Sequence, residues 1–266
     1  MPKGSITDYI DVAQVALYLF WIFFAGLIYY LLRENKREGY PLAPEGATSG
    51  PIQGFPAMPL PKTYLLPAGG TKTVPNAEVD PRPIKAEPIA PWPGAPLEPT
   101  GNPMVDGVGP AAWAMRSENP DVMADGRTRI VPLRTAPDYS IEHRDPDPRG
   151  MEVVGADGLV AGTVSDLWVD RSECLIRYLE VALPSVAAVG DESPPAPRHV
   201  LLPINFSKID GRQRLVRVKS ILARHFTDVP RHAASDQVSR REEDRITAYY
   251  GGGHLYALPS RTEALL

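Results

Sequence analysis

Five charged residues packed into twelve positions, Asp166, Asp170, Arg171, Glu173 and Arg177, form the set in this chain best suited to handling protons. Neighbouring carboxylates repel one another's charge while arginine favours it, so such a cluster spreads its pKa values and can pass protons along. The same composition also makes an ordinary ion-pair network on a solvated face, and the residue types leave both open. Other chemistries lack their residues. There is no GxSxG, no HExxH and no glycine-rich nucleotide loop between a strand and a helix, and the histidines (143, 199, 225, 232 and 254) show no metal-ligand spacing. The single cysteine, Cys174, rules out an intrachain disulfide and any cysteine-built metal site, which suits a reducing compartment. A net charge of −4 gives no nucleic-acid footprint. The expectation is a chain that is not an enzyme, holds no metal and binds no nucleic acid.

The cluster falls around a predicted strand turn, in a chain organised about the run Val12–Leu32, VAQVALYLFWIFFAGLIYYLL, which carries no formal charge. At about 1.5 Å per residue it covers roughly 30 Å as a helix, the thickness of a bilayer's hydrocarbon core. A cleaved signal peptide would have a shorter apolar core ending in small residues, whereas this one ends in Tyr29, Tyr30, Leu31, Leu32 and then charge. Lys3, Asp8 and Asp11 precede the span; Arg33, Lys36 and Arg37 follow it. The basic excess therefore predicts a periplasmic N-terminus (1–11), a transmembrane helix (12–32) and a cytoplasmic remainder. Asp11 stands where a carboxylate favours a helix start. Trp21 lies too deep for an interfacial belt, and Ala25 and Gly26 permit close backbone approach, so the span is expected to dock on other membrane helices. Arg33, Lys36, Arg37 and Tyr40 suit the headgroup layer or the membrane-facing side of a partner.

Of the 30 prolines, 22 fall between Pro41 and Pro148. Each removes a backbone donor and fixes φ, so residues 33–137 are expected to run extended, without long helices or central strands. The segment also carries Ile52, Phe55, Tyr64, Leu65, Leu66, Trp92, Met104, Val108, Trp113 and Met115, apolar anchors that predict an ordered wrap over a surface. Within it, Pro99–Arg116 (PTGNPMVDGVGPAAWAMR) reads as a loop, and no lysine follows its glycines to make a phosphate cradle.

From Met151 the pattern turns to strands: Met151–Asp170 with a tight turn at Ala156, Asp157 and Gly158, then Leu175–Leu183, a loop over Pro184–Arg198, His199–Ile204, Phe206–Ile209, Arg214–Val218 and Ile221–Phe226. Short strands at regular spacing predict a small, curved antiparallel sheet or barrel over 138–266. A helix is expected from Ser235 or Asp236 to about Tyr250, stopped by Gly251–Gly253, with a weak apolar face of Val238, Ile246 and Tyr249 and a place on the surface. The fold class is α+β and membrane-anchored: one N-terminal transmembrane helix, an extended proline-rich segment, and a mostly antiparallel β-barrel with a C-terminal helix.

Four strings, DVAQVALYLFWIFFAGLIYYLLRENKREGYPL, PTGNPMVDGVGPAAW, VVGADGLVAGTVSDLWVDRSECLIRYLEV and EEDRITAYYGGGHLYA, spread over nearly the whole chain. Together they resemble the H subunit of the purple-bacterial photosynthetic reaction centre. The resemblance implies a single helix anchoring a cytoplasmic PRC-type barrel that caps the L and M subunits over two quinones and a non-haem iron. It implies that this chain binds none of the cofactors itself, the complex holding bacteriochlorophyll, bacteriopheophytin, quinones and iron. It further implies that the chain stabilises the complex, shields the quinones from water and helps deliver protons to the secondary quinone. Glu173 falls on the family's acidic position, with Asp170 upstream and Arg177 as basic partner. The implied setting is a bacterial inner (intracytoplasmic or chromatophore) membrane, with lipids, a cytochrome subunit and light-harvesting 1 polypeptides as further candidate partners.

The chain departs from that resemblance at Met123–Ile130, MADGRTRI, where the family carries histidines that admit protons and bind inhibitory divalent metals. Arginine stays protonated and cannot relay as imidazole does. Protons are therefore expected to enter by Asp125 or Asp121, and zinc to inhibit weakly. The competing expectation is a membrane-tethered adaptor whose barrel binds a different cytoplasmic partner.

Overall fold

The computed structural model describes residues 4, 6–7, 11–42, 53–66, 69–76, 80–92, 94–184 and 198–262. Lys3, Asp8, Ile52 and the loop expected over 184–198, from 185 to 197, lie outside the described residues. The chain divides into two compact units: Met1–Pro81 with Pro91–Ala95, and Arg82–Ala90 with Pro96–Leu266.

The first unit is built on helix α1, Val12–Glu34. Its start is set by a reciprocal cap: the Asp11 carboxylate accepts from the Gln14 N–H at 2.7 Å, and the Gln14 side chain accepts from the Asp11 N–H. None of its residues is buried, so the helix is apolar on every side and bare of protein cover. Such a surface is stable only in lipid or against other apolar helices. Beyond α1 a single 3-10 turn, Asn35–Arg37, leads to a two-stranded antiparallel ribbon, β1 (Lys62–Leu65) with β2 (Thr71–Val74). Of the anchors expected to pack here, Phe55 and Leu65 are both 85% exposed and Trp92 is 61% exposed.

The second unit holds the core. It begins with a short ribbon, β3 (Ala86–Pro88) with β4 (Leu97–Pro99), and a one-turn helix α2 (Pro103–Asp106) capped by Asn102. Met104 and Val108 from this stretch are buried, as expected of anchors. The main sheet comprises β5 (Ile130–Pro132), β6 (Glu152–Val154), β7 (Val160–Asp170), β8 (Leu175–Ala182), β9 (His199–Pro203), β10 (Ser207–Asp210) and β11 (Leu215–Val218). Its order is β10-β11-β6-β7-β8-β9, with β5 also on β7; only β11 and β6 run parallel. Among the described residues no ladder joins β9 to β10, so the ring is left open there. β5 comes from the proline-rich segment, and its Pro132 is tolerated because β5 pairs on one side only.

Two expectations fail here. Ile221–Phe226 is not a strand: Ala223–Asp228 forms 3-10 turns, because Ile221, Leu222 and Phe226 are all buried at a spacing a two-residue alternation cannot serve. The C-terminal helix α3 runs Arg240–Tyr256, not 235–250, and passes through Gly251–Gly253. Its cap is Ser239, whose hydroxyl accepts from the Glu242 N–H while Glu242 accepts from the Ser239 N–H. The glycines fit because α3 is a core element, with Ile246, Tyr249 and Tyr250 buried. A Cβ on Gly253 would lie 2.3 Å from Ile221 Cγ2 and 2.7 Å from the Ser220 carbonyl oxygen. The glycines make room for close packing and do not end the helix.

Candidate functional site

The site assembles where β5, the β7–β8 turn and the start of α3 meet. β5 pairs with the end of β7, Ile130 opposite Asp170, which brings the preceding residue, Arg129, beside the turn Arg171–Cys174. Asp170 organises that turn, accepting from the N–H groups of Ser172 (2.9 Å) and Glu173 (3.1 Å). Cys174 completes it with a φ of 53°, uncommon for a residue with a side chain.

Arg129 is the centre. Its Nε donates to both Asp170 carboxylate oxygens at 3.0 Å, its Nη2 to Glu173 Oε1 at 2.6 Å, and its Nη1 to Asp121 Oδ2 at 3.3 Å. The hairpin 121–129, closed by the Arg129 N–H to the Asp121 carbonyl at 2.8 Å, holds Asp121 in place. Arg177 approaches Asp170 from β8, Nε to Oδ2, at 3.4 Å, and Arg240 from α3 holds Asp121 at 2.9 Å. Burial pushes the Asp170 carboxyl up, but Arg129 and the two backbone donors outweigh it and hold its pKa below the ordinary range. Asp170 is fully buried, while the Glu173 side chain is 48% exposed, so one carboxylate is locked and the other faces water.

A cleft of about 740 Å³ opens beside this array, lined by Asp121, Arg177, Tyr178, Arg240, Glu243 and Asp244 among others. Across it the buried Tyr178 hydroxyl donates to Glu243 Oε2 at 2.8 Å. Burial raises the Glu243 pKa above its ordinary value, against the pull of Tyr178 and Arg177. The buried Asp170 beside the cleft and Glu243 within it are thus shifted in opposite directions.

Of the five charges that opened the sequence reading, Asp170, Glu173 and Arg177 come together; Asp166 and Arg171 do not. A register shift between Trp168 and Val169 interrupts the β7–β8 alternation. Asp166 lies instead opposite Glu180, both buried, and both bond Arg134 Nη1, at 2.9 and 2.7 Å. His199 Nδ1 is 2.9 Å from Glu180 Oε1, and the Trp168 indole N–H donates to Oε2 at 2.8 Å. Asp125 is engaged in its own turn, accepting from Arg127 Nε at 2.7 Å, and that partner lowers its pKa. Sequence reasoning missed Arg129, Tyr178 and Glu243; the one available signal was the run of acidic residues Glu242, Glu243 and Asp244 near the start of α3.

In the first unit, Trp21 is 55% exposed and rests edge-on against Phe20 and Phe24. A Cβ at Gly26 would meet nothing within 4 Å, so that face of α1 is open to close approach. Arg33 is half-buried. Lys36 and Arg37 are buried: Lys36 donates to the Gln53 and Pro56 carbonyls, and Arg37 donates to the Leu60 and Val74 carbonyls through Nη1 and to the Glu34 carboxylate through Nε and Nη2. The Lys36 ammonium also lies 5.2 Å from the Tyr40 ring centre.

Two family models match the chain. One, described as the photosynthetic reaction centre H-chain N-terminal region, covers residues 4–135, and the PRC-barrel domain covers residues 140–223. The first takes in α1, both ribbons and the Asp121–Arg129 hairpin, and the second takes in the strands that carry Asp170, Glu173 and Arg177. With a bare apolar helix ahead of a PRC-barrel sheet and these consecutive matches, the chain belongs to the photosynthetic reaction centre H-chain family.

Proposed function

We propose that this membrane-anchored reaction-centre subunit caps the cytoplasmic side of the L and M subunits, shields the quinone sites and passes protons inward to the secondary quinone. The observation that carries the reading is the gathering of Asp121, Asp170 and Glu173 on one guanidinium, Arg129. Glu173 meets water and takes up a proton. Asp170, fixed in its charged form, keeps the array electronegative and attracts the next one. Arg129 and Arg177 transfer nothing, because guanidinium does not deprotonate; they hold the carboxylates in place and keep their summed charge tolerable. Glu243, with its raised pKa, serves as a reservoir across the cleft.

The pigments, quinones and iron belong to the core subunits in this reading, and this chain supplies position, exclusion of water and protons. The basic residues Arg33, Lys36 and Arg37 after the span support an orientation with the barrel on the cytoplasmic side. The test is removal and return of the whole chain. Reaction centres stripped of it should keep light-driven charge separation, lose rate in the proton-coupled second electron transfer and recover that rate on reconstitution. An unchanged second transfer in the stripped core contradicts the reading. An adaptor bound to some other partner would not co-purify with near-infrared-absorbing pigment proteins at all.

A further inference from the structure

The segment that follows the membrane helix turns back toward it. The Phe55 ring packs against Tyr29, ring centres 6.0 Å apart, although Phe55 is 85% exposed. Tyr29 stands three residues before the apolar run ends at Leu32, about 4.5 Å inside it along the helix axis. Five residues on, the Leu60 carbonyl is held at 2.7 Å by Arg37, which lies past the end of that run. The chain therefore climbs along the helix from the depth of Tyr29 to the level of Arg37.

Its deep end is deliberately held. Lys36 Nζ bonds the carbonyls on both sides of Phe55, those of Gln53 and, at 2.5 Å, Pro56. Gly54, with φ +62°, makes the turn that aims Phe55 along the helix, and a Cβ there would meet Lys36 Nζ at 3.7 Å. A lysine buried to pin two carbonyls, with a bare aromatic ring between them, is a costly arrangement in water. It is favourable where the ring's exposed face meets acyl chains.

We propose that the 53–60 loop is a second membrane contact, with Phe55 wedged into the lipid at the boundary of acyl chains and headgroups beside α1. The occupant is the bilayer because the ring packs on Tyr29, within the axial depth of an uncharged run long enough to cross the hydrocarbon core. The consequence is that the first unit is fixed at two points, so that it cannot swing about the helix end.

Site-directed spin labelling of the assembled complex in its native membrane tests this. Cys174→Ser removes this chain's one native thiol, Phe55→Cys or Leu60→Cys receives the label, and the complex carrying Cys174→Ser alone gives the background. At 55 the label should be relaxed several-fold more by dissolved oxygen than by a water-soluble nickel chelate. At 60 the preference should fall or reverse. A label at 55 that favours nickel overturns the proposal, because the loop then lies in water. One shielded from both reagents overturns it too, because protein then covers the site. Equal oxygen preference at the two positions also overturns it, since the climb away from the hydrocarbon would be absent.

Discussion

Arg129 and Glu173, forty-four residues apart in the chain, meet at 2.6 Å between Nη2 and Oε1. The same guanidinium bonds the fully buried Asp170, so the exposed carboxylate and the buried one share a cation. Breaking a buried ion pair costs about 3–5 kcal/mol, and the residual exposure of Arg129 together with the second partner Arg177 reduces this to about 2 kcal/mol for Arg129→Met. Arg129→Lys, which keeps the charge but cannot reach three carboxylates, should fall between. Thermal unfolding of the assembled complex measures the difference.

Asp170 sets the acid limit. Its folded pKa is depressed, so its contribution to stability is complete above the unfolded value, about 3.9, and is lost as the pH falls through the folded one. Unfolding temperature should therefore drop with acid below about pH 4 in the native chain. Asp170→Asn should start less stable at neutral pH and show a flatter acid slope. Parallel slopes would assign the acid loss to other groups.

Glu243 has the opposite sign. Burial raises its folded pKa, so its charged form costs stability once the pH exceeds the unfolded value, about 4.3. Glu243→Gln, which can still accept from Tyr178, should stabilise the complex at pH 8 and lose that advantage as the pH falls toward 4. A pH-independent effect would show that the side chain acts only through packing.

The glycine run of α3 separates packing from propensity. Gly253→Ala would place its methyl 2.3 Å from Ile221 Cγ2, and overpacking of this kind costs about 1–3 kcal/mol, more than the roughly 1 kcal/mol that alanine gains in a helix. At Gly251 the nearest atom is the Pro110 oxygen at 3.3 Å, so Gly251→Ala should be neutral or mildly stabilising. Gly253→Ala should lower the unfolding temperature, and Gly251→Ala should leave it unchanged or raise it slightly.

Zinc should inhibit proton uptake weakly. Arg127 and Arg129 occupy the stretch where imidazoles would bind the metal, and both are committed to aspartates, Asp125 and Asp170. Titration of zinc against flash-induced proton uptake should show little loss until the metal is in large excess, and tight inhibition would contradict this.

The strand block was legible because Val, Leu and Ile alternate with polar residues and turn residues punctuate them; β6 through β11 lie within a few residues of where that pattern puts them. The glycines of α3 misled because in isolation they read as a stop, and only Ala111, Ser220 and Ile221, brought alongside by the fold, explain them as close contacts. Glu173, Asp170 and Arg177 were legible as a cluster through their spacing and the family resemblance. Arg129 was not, since its partners lie up to 44 residues away and arginine near a DG turn has no local signature. Glu243 was hidden for a related reason: at the start of a helix an acidic residue already has a sufficient local explanation.

The central claim is that Glu173 takes up protons for the secondary quinone, and flash spectroscopy on complexes carrying Glu173→Gln tests it most directly. Glutamine can still accept the Arg129 bond but cannot carry a proton, so primary charge separation should be unchanged while proton uptake and the second electron transfer slow together. Unaltered proton-uptake kinetics in that variant would contradict the account and leave Glu173 as one arm of a structural ion-pair network.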